Sequence, residues 1–519
     1  MSNASSLLRT LLIYSICVPL AVFLGYLMAA PTTYGTFAWL GLVLGVLSFP
    51  LFLRWHHAWL IVTWNLSAVL FFIPGRPEVW LAMTWISLLI SVVHYIINRR
   101  RGFLHAPSVS RPLLFLAVVV LVTAKATGGI GLQAFGSELH GGKKYLMILT
   151  AIAGYFALAS RRIPPRRALL YVTLFFLTSA SQAIGELGNV VGPSMYFIFM
   201  LFPVSDAGIK TILASPGGAP GLMTRLGGLA EASMGIFCAM LARYGIREIF
   251  NWRRLGRALV FLGFVGMGML GGFRSTLILF LLAFMILFYL EGMWRSRMLP
   301  FMVLGAIVGV TLLTAFVDRL PLTIQRSMSF LPLPVDPIAR QSAEDTARWR
   351  WEMWKEVLPQ IPEHLILGKG FGFTAAEAQV TQIGTRFDEA GLGGLQGTEL
   401  VGDYHNGPIT VILPFGIFGA ISFLWFILAG LRVLHRNYQY GPPAYRQMNR
   451  FILAWYFTKT IFFFTIFGGI QSDLMMFTGL VGLSISLNGG VARPILVRQP
   501  RVRLVPFKLR PAVQRPVVA

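Results

Sequence analysis

The chain has 519 residues, 56% of them hydrophobic and only 12% charged, with 41 Phe and a formal net charge of +24; its mean hydropathy is +0.69. These values lie outside the range of soluble globular proteins and identify a polytopic membrane protein. The positive charge does not signal nucleic acid, because Lys and Arg come in short clusters between apolar runs, as the cytoplasmic loops of membrane proteins require.

Apolar segments of spanning length occupy roughly 8–30, 36–53, 57–73, 78–97, 112–127, 145–160, 168–186, 226–246, 258–273, 275–291, 298–317, 408–431, 451–470 and 473–488. At about twenty residues per crossing, they predict an all-α integral membrane protein with about fourteen transmembrane helices. Arg9 precedes the first segment without a clear cleavage site, the pattern of a retained signal anchor. Five basic clusters fall on one side if the N-terminus is inside and the spans alternate: Arg99 to Arg101, Arg161 to Arg167, Arg253 to Arg257, Arg295 with Arg297, and Arg432 with Arg436. The positive-inside rule makes that side cytoplasmic. The chain then divides into an N-terminal helix bundle (1–317), one large extracytoplasmic loop (318–407), C-terminal transmembrane helices (408–490) and a basic cytoplasmic tail (491–519), with both termini cytoplasmic. The outer side also receives the Gly271-Gly272-Phe273-Arg274 turn and residues 187–225, whose short apolar piece Met195 to Pro203 suggests a re-entrant or interfacial segment. The tail suits contact with anionic lipid as well as plain solvation. Cys17 and Cys238 sit in apolar runs and match no disulfide or zinc spacing.

Within the large loop, Ser342 and Asp345 resemble a capping box, and Glu344–Arg348 and Arg348–Glu352 have ion-pair spacing for a helix. Ala347, Trp351, Trp354 and Leu358 share one face and Pro359 stops the run, so residues 343–358 are predicted as an amphipathic helix. Gly368-Lys369-Gly370-Phe371-Gly372 lacks the strand context of a dinucleotide site and is read as a turn. Gly391 to Gly394 suits a mobile lid or an ordinary flexible loop.

Phosphate-loop, zinc-protease, paired metal-ligand and serine-hydrolase motifs are all absent. What remains is a set of cations on the outer side: Arg274 in its glycine-flanked turn, Arg348 and Arg350 on the loop helix, and His405 where the chain re-enters apolar sequence. Taken singly, interfacial arginines commonly only snorkel and a lone histidine is usually structural. Together they suit a diphosphate, which guanidinium groups bind bidentately, with an imidazole beside it able to accept a proton near neutral pH.

His405-Asn406, nine residues and then Gly416-Ile417-Phe418-Gly419 resemble the H-[NSQ]-x9-G-x-x-G pattern of the bacterial O-antigen ligase and O-antigen polymerase superfamily. Arg350-Trp351-Glu352-Met353-Trp354, followed by Pro362 and Gly368-Lys369-Gly370, is similar to that family's Arg-x-x-x-Trp segment ending in a Gly-x-Gly turn. The Gly271 to Ser275 turn is similar to its Gly/Ser-rich turn with an outer arginine, and the likeness runs from about 258 to 488. The resemblance implies a type C glycosyltransferase-like fold in the bacterial inner membrane. It also implies an enzyme moving an undecaprenyl-diphosphate-linked glycan, the donor, onto a glycan or lipid acceptor. Pro31-Thr32-Thr33-Tyr34 stands where metal-dependent relatives of similar fold carry an acidic pair, which favours chemistry without a metal or other cofactor. On this reading Arg274 and Arg350, with Arg348 in reserve, hold the diphosphate and His405 takes the acceptor proton. Asp403 orients His405 or binds substrate, and Tyr404 and Asn406 bind sugar or serve as interfacial and capping residues.

The alternative from another class is a transporter of lipid-linked oligosaccharide, for which Lys125, Glu186 and Lys459 are the candidate intramembrane charges. These lie on distant segments with no internal repeat to suggest alternating access. A third reading is a non-catalytic membrane assembly factor, in which the outer cations would not converge.

Overall fold

Hydrocarbon offers no hydrogen-bond partner, so apolar segments of this length satisfy their backbone internally as helices. The computed structural model describes residues 34–494 other than 72, 74, 99–102, 105, 129, 132–138, 205–224, 375, 378, 380–398 and 401, plus scattered positions between 14 and 29. The Arg99 to Arg101 cluster, Gly391 to Gly394, most of the 205–225 stretch and the tail beyond 494 lie outside the described residues.

The helices are α1 (Tyr34–Thr63), α2 (Val79–Ile97), α3 (Pro107–Ala126), α4 (Gly142–Leu158), α5 (Ala168–Leu177), α6 (Gln182–Val191), α7 (Gly227–Ile249), α8 (Leu255–Met269), α9 (Arg274–Leu290), α10 (Leu299–Phe316), α11 (Leu322–Met328), α12 (Pro337–Val357), α13 (Gly407–Tyr440), α14 (Arg446–Thr465) and α15 (Ile470–Asn488). Among the described residues seven helical runs are long and apolar enough to cross a membrane: α2, α3, Pro165–Gly188 through α5 and α6, α7, Leu299–Arg319 through α10, α13 and α15. The α9 helix is apolar but shorter. One expected boundary is absent. The segments at 36–53 and 57–73 share the continuous helix α1, because Arg54 to His57 contain no helix breaker, and regular structure stops at Thr63 instead. The expected re-entrant segment is a short α6 followed by a 3₁₀ run, Pro193–Met200.

Small residues let the helices approach closely, the usual packing device in lipid. The fully buried Trp64 fills grooves at Gly154 of α4 and Gly479 of α15, where a β-carbon would stand 2.3 and 2.2 Å from the indole. Trp80 and Phe175 complete this centre at ring distances of 5.6 and 6.4 Å.

Polar contacts sort the helix termini into two ends. At one end the Ile163 amide donates to the Ser486 carbonyl, Asn437 and Asn449 join α13, α14 and Asn488, and Gln447 bonds Glu291 and the Leu241 carbonyl. That end gathers the Arg161 to Arg167 turn with the C-termini of α4, α7, α9, α13 and α15. The opposite end gathers the N-termini of α4, α7, α9, α13 and α15 and the large loop. A two-residue antiparallel ladder pairs β1 (Leu139–His140) with β2 (Phe373–Thr374), tying the loop to the α3–α4 connection. It is a small departure from the expected all-α chain.

Candidate active site

Two turns build the site. The first is the break in α13 at Pro414 and Gly416, where Gly416 has φ +62°. A proline lacks the amide that continues a helix, and glycine tolerates the left-handed backbone that follows. The carbonyls released at Leu413 and Pro414 accept from Lys369 and Gly370 at 2.8 and 3.1 Å, and the Ile417 amide donates to the Leu365 carbonyl at 2.7 Å. The Gly368 to Gly372 turn therefore docks on the kinked helix, as a turn rather than a phosphate loop, and Tyr145 Oη receives the Phe371 amide at 2.8 Å. This lock fixes the first turns of α13, and His405 sits just before that helix, eleven residues ahead of Gly416.

The second turn is Gly271 to Arg274. Arg326 of α11, buried on all but 4% of its surface, donates to the Gly272 carbonyl, to Ser342 Oγ at 3.1 Å and to Thr346 Oγ1 at 2.8 Å. Arg274 donates to the Ala343 carbonyl at 2.8 Å. Both arginines thus pin α12 against the turn. The α12 helix starts six residues before the expected Ala343, because Asp336 caps it through the Ile338 amide (2.7 Å) and Pro337 suits its first turn. Its buried face is Ala339, Ala343, Met353 and Val357, while Trp351 is 57% exposed and Leu358 48%. The expected apolar face is therefore rotated, and the aromatic residues that pack inward are Trp349 and Trp354. Neither expected Arg348 ion pair closes among the described residues, where Arg348 is exposed.

Between these turns lies a cavity of about 760 Å³, walled by Arg225, Arg350, Asp403, His405, Trp349 and Phe467 among others. His405 adopts φ +50°, a left-handed backbone rare outside glycine. Such a conformation costs on the order of 1–3 kcal/mol and is held only where the surroundings over-determine it. Its ring stacks on Phe467 (5.1 Å, 28°) and meets Trp349 at 5.5 Å, and Nδ1 lies 3.6 Å from Asp403 Oδ1, an ion-pair distance. Arg350 Cζ lies 5.4 Å from the centre of the same Phe467 ring, so one aromatic platform carries both groups. Arg350 Nε is buried without a hydrogen-bond partner among the described residues.

Cations dominate this end of the cavity. Burial, and then the neighbouring Arg274, hold the Arg350 guanidinium below its ordinary range, with Asp403 opposing. Burial, reinforced by Arg225, Arg274 and Arg350, pushes Arg326 down to about 10. Each guanidinium is less comfortable as a cation than in water, and an anion in the cavity would relieve that.

Of the residues singled out by sequence, Arg350, His405 and Asp403 share the cavity wall. Arg274 stands beside it, within electrostatic reach of Arg350. Tyr404 and Asn406 do not line it. The Tyr404 ring is 2% exposed among Met353, Val357, Ile409 and Leu413, and its carbonyl receives Trp354 Nε1 at 2.9 Å. Asn406 caps α13 through the Ile409 amide at 3.3 Å. Both therefore have structural duties. Among the transporter candidates, Lys125 is exposed, and Glu186 accepts from the Gly228 amide at 2.9 Å and holds α6 to α7. Lys459 reaches the cavity, paired with Asp473 at 2.7 Å.

Sequence reading missed Arg225, Arg326 and Phe467. Arg326 lies in the loop but outside any recognisable motif, and Phe467 is one phenylalanine among 41.

No curated protein matches the chain. Residues 258–424, which contain Arg274, Arg326, Arg350, Asp403, His405 and the Gly416 kink, match the Wzy_C family model, described as O-antigen ligase. That match, over less than half of the chain, supports a likeness to the O-antigen ligase/polymerase superfamily.

Proposed function

We propose that the chain transfers an undecaprenyl-diphosphate-linked oligo- or polysaccharide onto an acceptor hydroxyl at the extracytoplasmic face of the inner membrane, as an O-antigen or exopolysaccharide polymerase or ligase. The observation that carries this reading is the convergence of Arg350, His405 and Asp403 on one cavity, with Arg274 beside it. Arg350 and Arg274 hold the diphosphate. His405 orients the acceptor hydroxyl and takes its proton, while Asp403 stabilises the imidazolium that forms. The acceptor oxygen attacks the anomeric carbon from the face opposite the diphosphate, with inversion. A new carbon–oxygen bond forms as the bond to the diphosphate breaks, and the electron pair leaves with the polyprenyl diphosphate. Its growing charge meets fixed guanidinium groups in a partly dry site.

With arginines as the fixed cations, no metal ion is needed. The basic clusters at the other end of the bundle support the extracytoplasmic side for this cavity. The transporter reading loses ground because two of its three candidate charges do not reach the cavity.

Purified protein in liposomes, given a polyprenyl-diphosphate glycan and an acceptor with EDTA present, should form a glycosylated acceptor. Loss of transfer in EDTA, restored by magnesium or manganese, would overturn the metal-free mechanism. Movement of the intact lipid-linked donor across the bilayer with no product would replace the enzyme by a transporter.

A further inference from the structure

Arg225 lies outside the family-matched segment, on the approach to α7, yet lines the same cavity as Arg350 and His405. Its guanidinium Cζ stands 4.2 Å from the centre of the Phe273 ring, and its Cγ and Nε run along Gly272. The side chain is therefore laid on the turn that Arg326 grips from behind and that Arg274 continues. Arg326 and Arg225 differ in how they spend their donors. Arg326 gives its N–H groups to the Gly272 carbonyl, Ser342 and Thr346, leaving it a brace. Arg225 Nε is buried with no hydrogen-bond partner among the described residues, as Arg350 Nε is. Burial and the Arg350 charge both disfavour the Arg225 cation. A charged, stacked group with a buried unused donor is costly unless a ligand completes it.

We infer that Arg225 is a third ligand of the donor diphosphate, closing with Arg350 and Arg274 a clamp braced by Arg326. This rests on the glycan-transfer reading above. Breaking the sugar–diphosphate bond adds negative charge to a group that is already anionic, so a third guanidinium does most where the leaving group forms. The acids on the cavity wall do not cancel it. Asp403 lies against His405, Glu231 sits toward Lys459 and Asp473, and Asp345 is exposed on α12.

The test is calorimetric binding of inorganic pyrophosphate to the full-length protein in detergent, alongside glycan transfer. Arg225→Gln keeps the side-chain length and Arg225→Lys keeps the charge, and Arg319→Ala, exposed and outside the cavity wall, serves as control. Arg225→Gln should weaken pyrophosphate binding about tenfold or more, the scale of one lost charged hydrogen bond. Arg225→Lys should recover little of it, because a point charge lacks the guanidinium fork, and the control should bind normally. Wild-type binding with unchanged affinity in Arg225→Gln would overturn the role of Arg225 and leave the transferase reading standing. No pyrophosphate binding by the wild-type protein would overturn the diphosphate clamp altogether.

Discussion

Gly416→Ala is the sharpest probe of the lock that positions the site. The residue has φ +62°, and a β-carbon there would stand 2.6 Å from both the Leu365 and Ile366 carbonyl oxygens. With ψ −163° this is a backbone region that essentially only glycine occupies, which costs an alanine on the order of 1–3 kcal/mol, and forcing a methyl group into a filled space adds roughly 1–3 kcal/mol. The sum is about 2–6 kcal/mol of lost stability, felt where the 365–370 turn docks on α13. The natural control is Gly263→Ala, on the exposed face of α8 with nothing within 4 Å of the new methyl. There alanine should be neutral, or stabilising by up to about 1 kcal/mol, because it favours the helix. Thermal unfolding of both variants in the same detergent measures the contrast. If Gly416→Ala proved as stable as Gly263→Ala, the kink would not be a lock and the account of how His405 is held would fail.

Tyr145→Phe removes the hydroxyl that accepts the Phe371 amide. It should destabilise by about 1–3 kcal/mol, the cost of an orphaned buried donor, and an unchanged unfolding curve would show that the turn is held otherwise. A cysteine placed at the exposed Gln379 should react in intact cells with a membrane-impermeant thiol reagent. Labelling only after lysis would reverse the proposed sidedness.

What the sequence revealed divides along physical lines. Hydropathy located the helices well where a run is both long and interrupted by glycine, proline or charge, as at α2, α7, α13 and α15. It failed at α1, since Arg54 to His57 look like a loop but keep helical geometry. The start of α12 was misplaced because Ser342 and Asp345 mimic a cap, whereas Asp336-Pro337 supplies the working one six residues earlier. The kink at Gly416 lies inside a run that reads as one unbroken span, whereas the residues Arg350, His405 and Gly416 were visible because they belong to a spaced pattern. Arg225 and Phe467 were not, because their roles arise only when distant segments meet: Arg225 lies on Phe273 and Phe467 carries His405 and Arg350. Tyr404 and Asn406 looked functional by adjacency to His405, yet one fills a small core and the other caps α13.

The most direct test of the central claim is glycan transfer by purified His405→Ala and Arg350→Ala, each checked for folding and for binding of a polyprenyl-diphosphate glycan. Both side chains face the cavity rather than a packed core, so truncation should cost little stability. Losing the general base should slow transfer by about a hundredfold to ten-thousandfold. Removing one preorganised donor from the leaving group should cost roughly a hundredfold to a thousandfold. Arg350→Lys should rescue poorly for want of a bidentate grip, and His405→Ala should spare donor binding more than Arg350→Ala does. Near-normal turnover by His405→Ala, with donor and acceptor both present, would contradict the assignment of His405 as the group that takes the acceptor proton.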